Sequence, residues 1–99
     1  MTNCIIYART GMHNPVALNE QLYACTKIAK KKQMEIVGVF TDEGDSGEGL
    51  AKAIGMIATQ TIDYFIIERT DRISRKLHLC FCITDMMRAA DCEIIKASE

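Results

Sequence analysis

The sequence predicts an α/β domain built on an open, mostly parallel four-stranded sheet with helices on both faces. Three observations lead there. Four short apolar runs, at 3–8, 35–40, 62–68 and 92–96, have the length and composition of strands. The stretches between them repeat apolar residues at helical spacing. The resulting order, β-α-β-α-β-α-β, is the one that winds helices over both faces of a parallel sheet.

Each element has a local reason. Residues 3–8 read as a buried strand, apolar or small from Cys4 to Ala8 as a strand covered on both faces must be. The only proline, Pro15, stands where a helix starts. In the helix at 16–32, Leu18, Leu22, Cys25, Ile28 and Ala29 share one face. Lys27, Lys30, Lys31 and Lys32 close that helix, where positive charge suits its dipole. They suit a solvated helix end or a phosphate-facing patch. Glu35–Phe40 form the second strand, and "TDEGDSGEG" (41–49) is an acidic, glycine-rich loop. A short helix at 49–58 presents Leu50, Ile54 and Ile57. "IDYFIIE" (62–68) is the third strand, and "RTDRISRK" (69–76) a charged connection. The helix at 76–90 carries two apolar stripes, one of Leu77, Phe81, Thr84 and Met87 and one of Leu79, Ile83, Met86 and Ala90. A helix apolar on more than one side needs a cover beyond its own sheet, and a partner subunit would supply it. "CEIIK" (92–96) is the last strand.

Composition narrows the function. Ninety-nine residues suit a single domain over 1–99. Twelve Lys+Arg against thirteen Asp+Glu leave a formal charge of −1, which lacks the basic excess of a bulk nucleic-acid binder. No apolar run approaches the roughly 20 residues of a membrane span. No signal-peptide pattern opens the chain, so the expected location is cytoplasmic. Five cysteines, at 4, 25, 80, 82 and 92, mostly fall in apolar stretches and suit a reducing compartment. None has zinc spacing with His13 or His78, so no metal or other cofactor is expected.

Charged residues collect just beyond the strand ends. Arg9 follows strand one, Asp42 strand two, and Asp71, Arg72 and Arg75 strand three. In parallel sheets these ends converge on the functional crevice. Arginine's planar fork suits a phosphate, so one reading is an anion pocket. The other is a set of structural ion pairs with Asp42, Glu43, Asp45 and Asp71. Gln21 places a polar amide on an apolar helix face.

"YAR" ending strand one, "ALNEQL" in the first helix, "VFTDEGDSG" after strand two and "TDRISR" after strand three together resemble the catalytic domain of the serine recombinases, the resolvase/invertase family. Members of that family cut DNA with a serine hydroxyl, forming a 5′-phosphoserine link, while arginines hold the scissile phosphate. The resemblance implies active-site roles for Arg9, Gln21, Asp42, Asp71, Arg72 and Arg75, with phosphate contacts from Arg9, Arg72 and Arg75. It also exposes departures. The family pattern is Tyr-x-Arg-x-Ser, and the serine position is Gly11 here. Thr10, Ser46 and Ser74 are poor substitutes. Where the family carries a further arginine after Ser46-Gly47, this chain has Lys52, a partial replacement. The family's long dimerisation helix and DNA-binding domain have no counterpart in these residues.

Two functions follow from the resemblance. One is a non-cleaving member acting in DNA recombination or mobile-element and phage regulation. It would work through a second copy, a recombinase or regulatory partner, or weak DNA contacts. The other is a divergent but active recombinase catalytic domain. An unrelated phosphate-binding or receiver-like α/β domain fits less well, because strand one lacks an acidic pair and no glycine-rich phosphate loop with lysine is present.

Overall fold

The computed structural model describes residues 2–69, 72–73 and 77–98, the side chains of Leu77 and His78 excepted. Asp71, Ser74 and Arg75 therefore lie outside the described residues. Seven elements follow in order: β1 (Asn3–Thr10), α1 (Pro15–Lys31), β2 (Glu35–Glu43), α2 (Glu48–Thr59), β3 (Tyr64–Ile67), α3 (Leu77–Ala89) and β4 (Glu93–Lys96). The strands form one sheet in the order β2-β1-β3-β4, and every pairing is parallel.

Alternation along β1 builds two cores. Ile5 and Tyr7 join Ala53 and Ile57 of α2 and Cys80 and Met87 of α3 on one face. Cys4 and Ile6 join Cys25 and Ala29 of α1 on the other. The helices thus cover both faces, as the sequence predicts. Strands β1 and β2 run two to three residues longer than expected, and this carries Arg9 and Asp42 into register as direct partners.

Helix α1 starts where Asn14 accepts the Ala17 N–H at 3.1 Å, just before Pro15. Its lysines lie at the end that leads into β2. That is the pole opposite the strand C-termini, so the lysine run takes no part in the site below. The expected stripes on α3 divide differently. Cys80 and Met87 are buried, Ile83 and Thr84 half-buried, while Leu79, Phe81 and Met86 are exposed. Four cysteines are buried and Cys82 is exposed. Burial pushes the thiol of Cys25 up to about 12 and that of Cys92 to about 11, so both behave as small apolar side chains.

Candidate functional site

The strand order reverses between β1 and β3, which makes a crevice at the carboxyl ends of the strands. Arg9 stands at one side of it and Glu68, just past β3, at the other.

The organising group is Asp42. It is buried, 4% exposed. The Tyr7 hydroxyl donates to Oδ2 at 2.7 Å. The Leu50 N–H donates to Oδ2 at 2.9 Å, and the Gly49 N–H to Oδ1 at 2.8 Å. The Ser46 hydroxyl adds a bond to Oδ1 at 3.2 Å. Asp42 thus caps the N-terminus of α2 from the neighbouring strand, where an anion is favoured by the free N–H groups and the helix dipole. Burial raises its pKa, but the bonds from Tyr7, Gly49, Leu50 and Ser46 outweigh burial and hold the carboxyl below its ordinary value. Tyr7 moves the opposite way. Burial and its bond to the Asp42 carboxylate raise the phenol, so it stays protonated as a donor.

Arg9 is held on several sides. Its Nε donates to the Tyr7 oxygen at 3.1 Å. Nη1 donates to the Gly44 carbonyl at 2.9 Å and Nη2 to the Ser46 carbonyl at 2.8 Å. Nη2 also lies 3.6 Å from Asp42 Oδ2. Its backbone is fixed from behind by Gln21, which is 2% exposed. The Gln21 Oε1 accepts the Arg9 N–H at 3.1 Å, and Nε2 donates to the Arg9 carbonyl at 2.9 Å. The side-chain amide therefore serves as a strand partner at the point where the sheet ladder ends. Gln21→Leu leaves both groups without a partner and should cost about 2 kcal/mol in chemical denaturation. An unchanged midpoint would contradict this role.

Tyr7, Arg9, Gln21 and Asp42 form one connected group. Arg72 belongs to another pair: its Nε and Nη2 both donate to Glu68 Oε1, at 3.1 and 3.0 Å. Glu68 was not among the acids the sequence marked as ion-pair partners. Lys52 sits in a cavity of about 420 Å³ with Asp42, Glu43, Ser46 and Glu48. Tyr7 was missed as a site residue; its place two residues before Arg9, on the same strand face, was the available signal. Gly11 is exposed, in the bend just after β1. The nearby hydroxyls are committed elsewhere: Thr10 Oγ1 donates to the Met12 carbonyl at 2.6 Å, and Ser46 to Asp42. No cluster of three His, Cys, Asp or Glu capable of holding a metal occurs among the described residues.

The family model for the resolvase N-terminal domain matches residues 4–99. The chain belongs to that family. Solved resolvase-type structures agree on the fold. The C-terminal catalytic domain of ISC1926 TnpA, an IS607-like serine recombinase, is 24% identical with a TM-score of 0.87, covering 96% of this chain and 67% of that one. The N-terminal catalytic domain of TP901-1 integrase is 21% identical with a TM-score of 0.84, covering 97% and 78%. A resolvase family site-specific recombinase from Streptococcus pneumoniae is 17% identical with a TM-score of 0.85, covering 98% and 72%. No curated protein matches. The resolvase-like domain thus carries a serine recombinase catalytic fold, and no described helix is long and apolar enough to cross a membrane.

Proposed function

We propose that this chain is a non-cleaving member of the resolvase family, acting in recombination or its regulation through weak phosphate contacts and protein association. The observation that carries the reading is Gly11. It follows directly on a strand whose Tyr7, Arg9 and Asp42 partners are in place, at the position where the family pattern calls for the nucleophile. Nucleophilic catalysis needs a hydroxyl beside its activating groups, and glycine has none. The hydroxyls of Thr10 and Ser46 donate to the Met12 carbonyl and to Asp42.

The remaining parts fit a phosphate contact. Arg9 is a fixed cationic donor at the mouth of the crevice, with Arg72 on the far side and Lys52 beside Asp42. A net charge of −1 makes such a contact weak and easily displaced by salt. The test is strand cleavage. Incubated with supercoiled plasmid, the chain should leave it supercoiled. Nicked or linear product carrying protein on its 5′ ends would establish a divergent active recombinase instead.

The association surface we infer is α3. Phe81 is 60% exposed at one edge of the buried Cys80/Met87 stripe, and Leu79 and Met86 are exposed at the other edge. The groove between α3 and β4, about 810 Å³, is lined by Phe81, Thr84, Cys92 and Ile94 among others. Sedimentation should show concentration-dependent self-association that Phe81→Ser weakens at least about tenfold, the loss expected for an apolar anchor. A monomer at every concentration would remove this surface as a self-association site.

A further inference from the structure

The loop between β2 and α2 has a consequence beyond positioning. It lays its own electronegative groups on the one cation that the phosphate reading relies on most. Arg9 is 19% exposed. Its cover includes the Gly44 and Ser46 carbonyls, which accept from Nη1 and Nη2, and the Asp42 carboxylate at 3.6 Å. The same segment carries Glu43, Asp45 and Glu48; Asp42, Glu43 and Glu48 line one cavity with Lys52, and Asp45 is exposed on the loop between them. Further bonds tie this cover to the end of β1: the Gly44 N–H donates to the Thr10 carbonyl at 2.9 Å, and His13 Nδ1 pairs with Glu43 Oε2 at 2.7 Å.

A phosphodiester approaching this arrangement meets a like-charged rim before it meets the guanidinium. It must also compete with two carbonyls already on the fork. Phosphate is the better acceptor, since it brings an opposite full charge and a bidentate match to the guanidinium fork that a neutral carbonyl lacks. The exchange is therefore favourable once the rim has moved aside, and unfavourable to begin.

We propose that the 43–48 segment is an autoinhibitory cover on Arg9, an internal stand-in for phosphate that nucleic acid must displace. The inference rests on the reading of Arg9 as a phosphate contact. Displacement leaves Asp42 on the α2 N-terminus, since its bonds to Tyr7, Gly49 and Leu50 do not involve Arg9. What moves is the exposed stretch 45–48, whose tether to Arg9 is the Ser46 carbonyl.

The test measures binding of a fluorescein-labelled random-sequence DNA duplex by anisotropy at low salt, using three proteins and their Arg9→Ala versions. One protein is native. The second is Glu43→Gln/Asp45→Asn/Glu48→Gln, which neutralises the cover. The third is Glu20→Gln/Glu35→Gln/Glu93→Gln, which removes the same charge at exposed sites away from the cover. The cover variant should bind about tenfold tighter than the control variant, and Arg9→Ala should erase that gain. Equal tightening in both triple variants would mean bulk charge alone and would overturn the cover. If Arg9→Ala has no effect in any background, the phosphate reading of Arg9 fails, and the cover with it. Amide exchange at Ser46, whose N–H donates to the Glu43 carbonyl at 3.2 Å, provides a second readout. It should speed up when native protein is saturated with duplex; unchanged exchange with duplex bound would overturn the displacement while leaving the phosphate contact standing.

Discussion

Asp42→Ala is expected to cost about 3 kcal/mol of folding stability, a large part of what a domain of this size has. The reason is the number of donors left behind. Tyr7 Oη, the Gly49 and Leu50 N–H groups and the Ser46 hydroxyl all point at this carboxylate. Water can reach few of them, because the group is buried. Chemical denaturation reads the loss directly, and a change below about 1 kcal/mol would show that the cap is dispensable. The same residue sets an acid limit. Its folded pKa lies below the ordinary value, so the stability it contributes is complete above the unfolded carboxyl pKa of about 3.9 and is lost as pH falls through the folded value. The native chain should therefore lose stability more steeply than Asp42→Asn below about pH 4. Parallel pH profiles would contradict the assignment.

Gly49→Ala should be comparably severe, about 3 kcal/mol or failure to fold. Its added Cβ would overlap the Thr41 carbonyl oxygen and lie 2.9 Å from the carbonyl carbon and 3.1 Å from Asp42 Oδ1. These are backbone and capping atoms, which cannot rotate away. To relieve the overlap, the first turn of α2 must back off from β2, and the Asp42 cap goes with it. Gly47→Ala provides the control, since a Cβ there meets nothing within 4 Å. If both variants were equally stable, the close approach of helix and strand would be wrong.

Much of this was legible in the residues. The apolar run at 4–8 and the helical stripe through Leu18, Cys25 and Ala29 fixed a covered sheet. Gln21 was conspicuous because a polar amide on an apolar face demands partners, and it has them. Pair identities were less legible. Arg9 was assigned to an anion or to an acid, and it also holds two backbone carbonyls, which no side-chain pattern encodes. Arg72 sits four residues after Glu68 and takes it as partner, because a local ion pair costs less chain entropy than a distant one. The α3 stripes were cut wrongly because both sides are apolar, and only the packing of Cys80 and Met87 against the sheet shows which side turns in. Asp71 and Arg75 lie outside the described residues.

Loss of the nucleophile from this recombinase fold leaves the chain unable to form a covalent link to DNA. The most direct measurement is mass spectrometry of the native chain after incubation with duplex DNA and denaturation, searching its peptides for a covalently attached deoxynucleotide 5′-phosphate. None is expected on Thr10, Ser46, Ser74 or any other hydroxyl. A deoxynucleotide found on one of those side chains would contradict this expectation and identify the residue that replaces the missing serine.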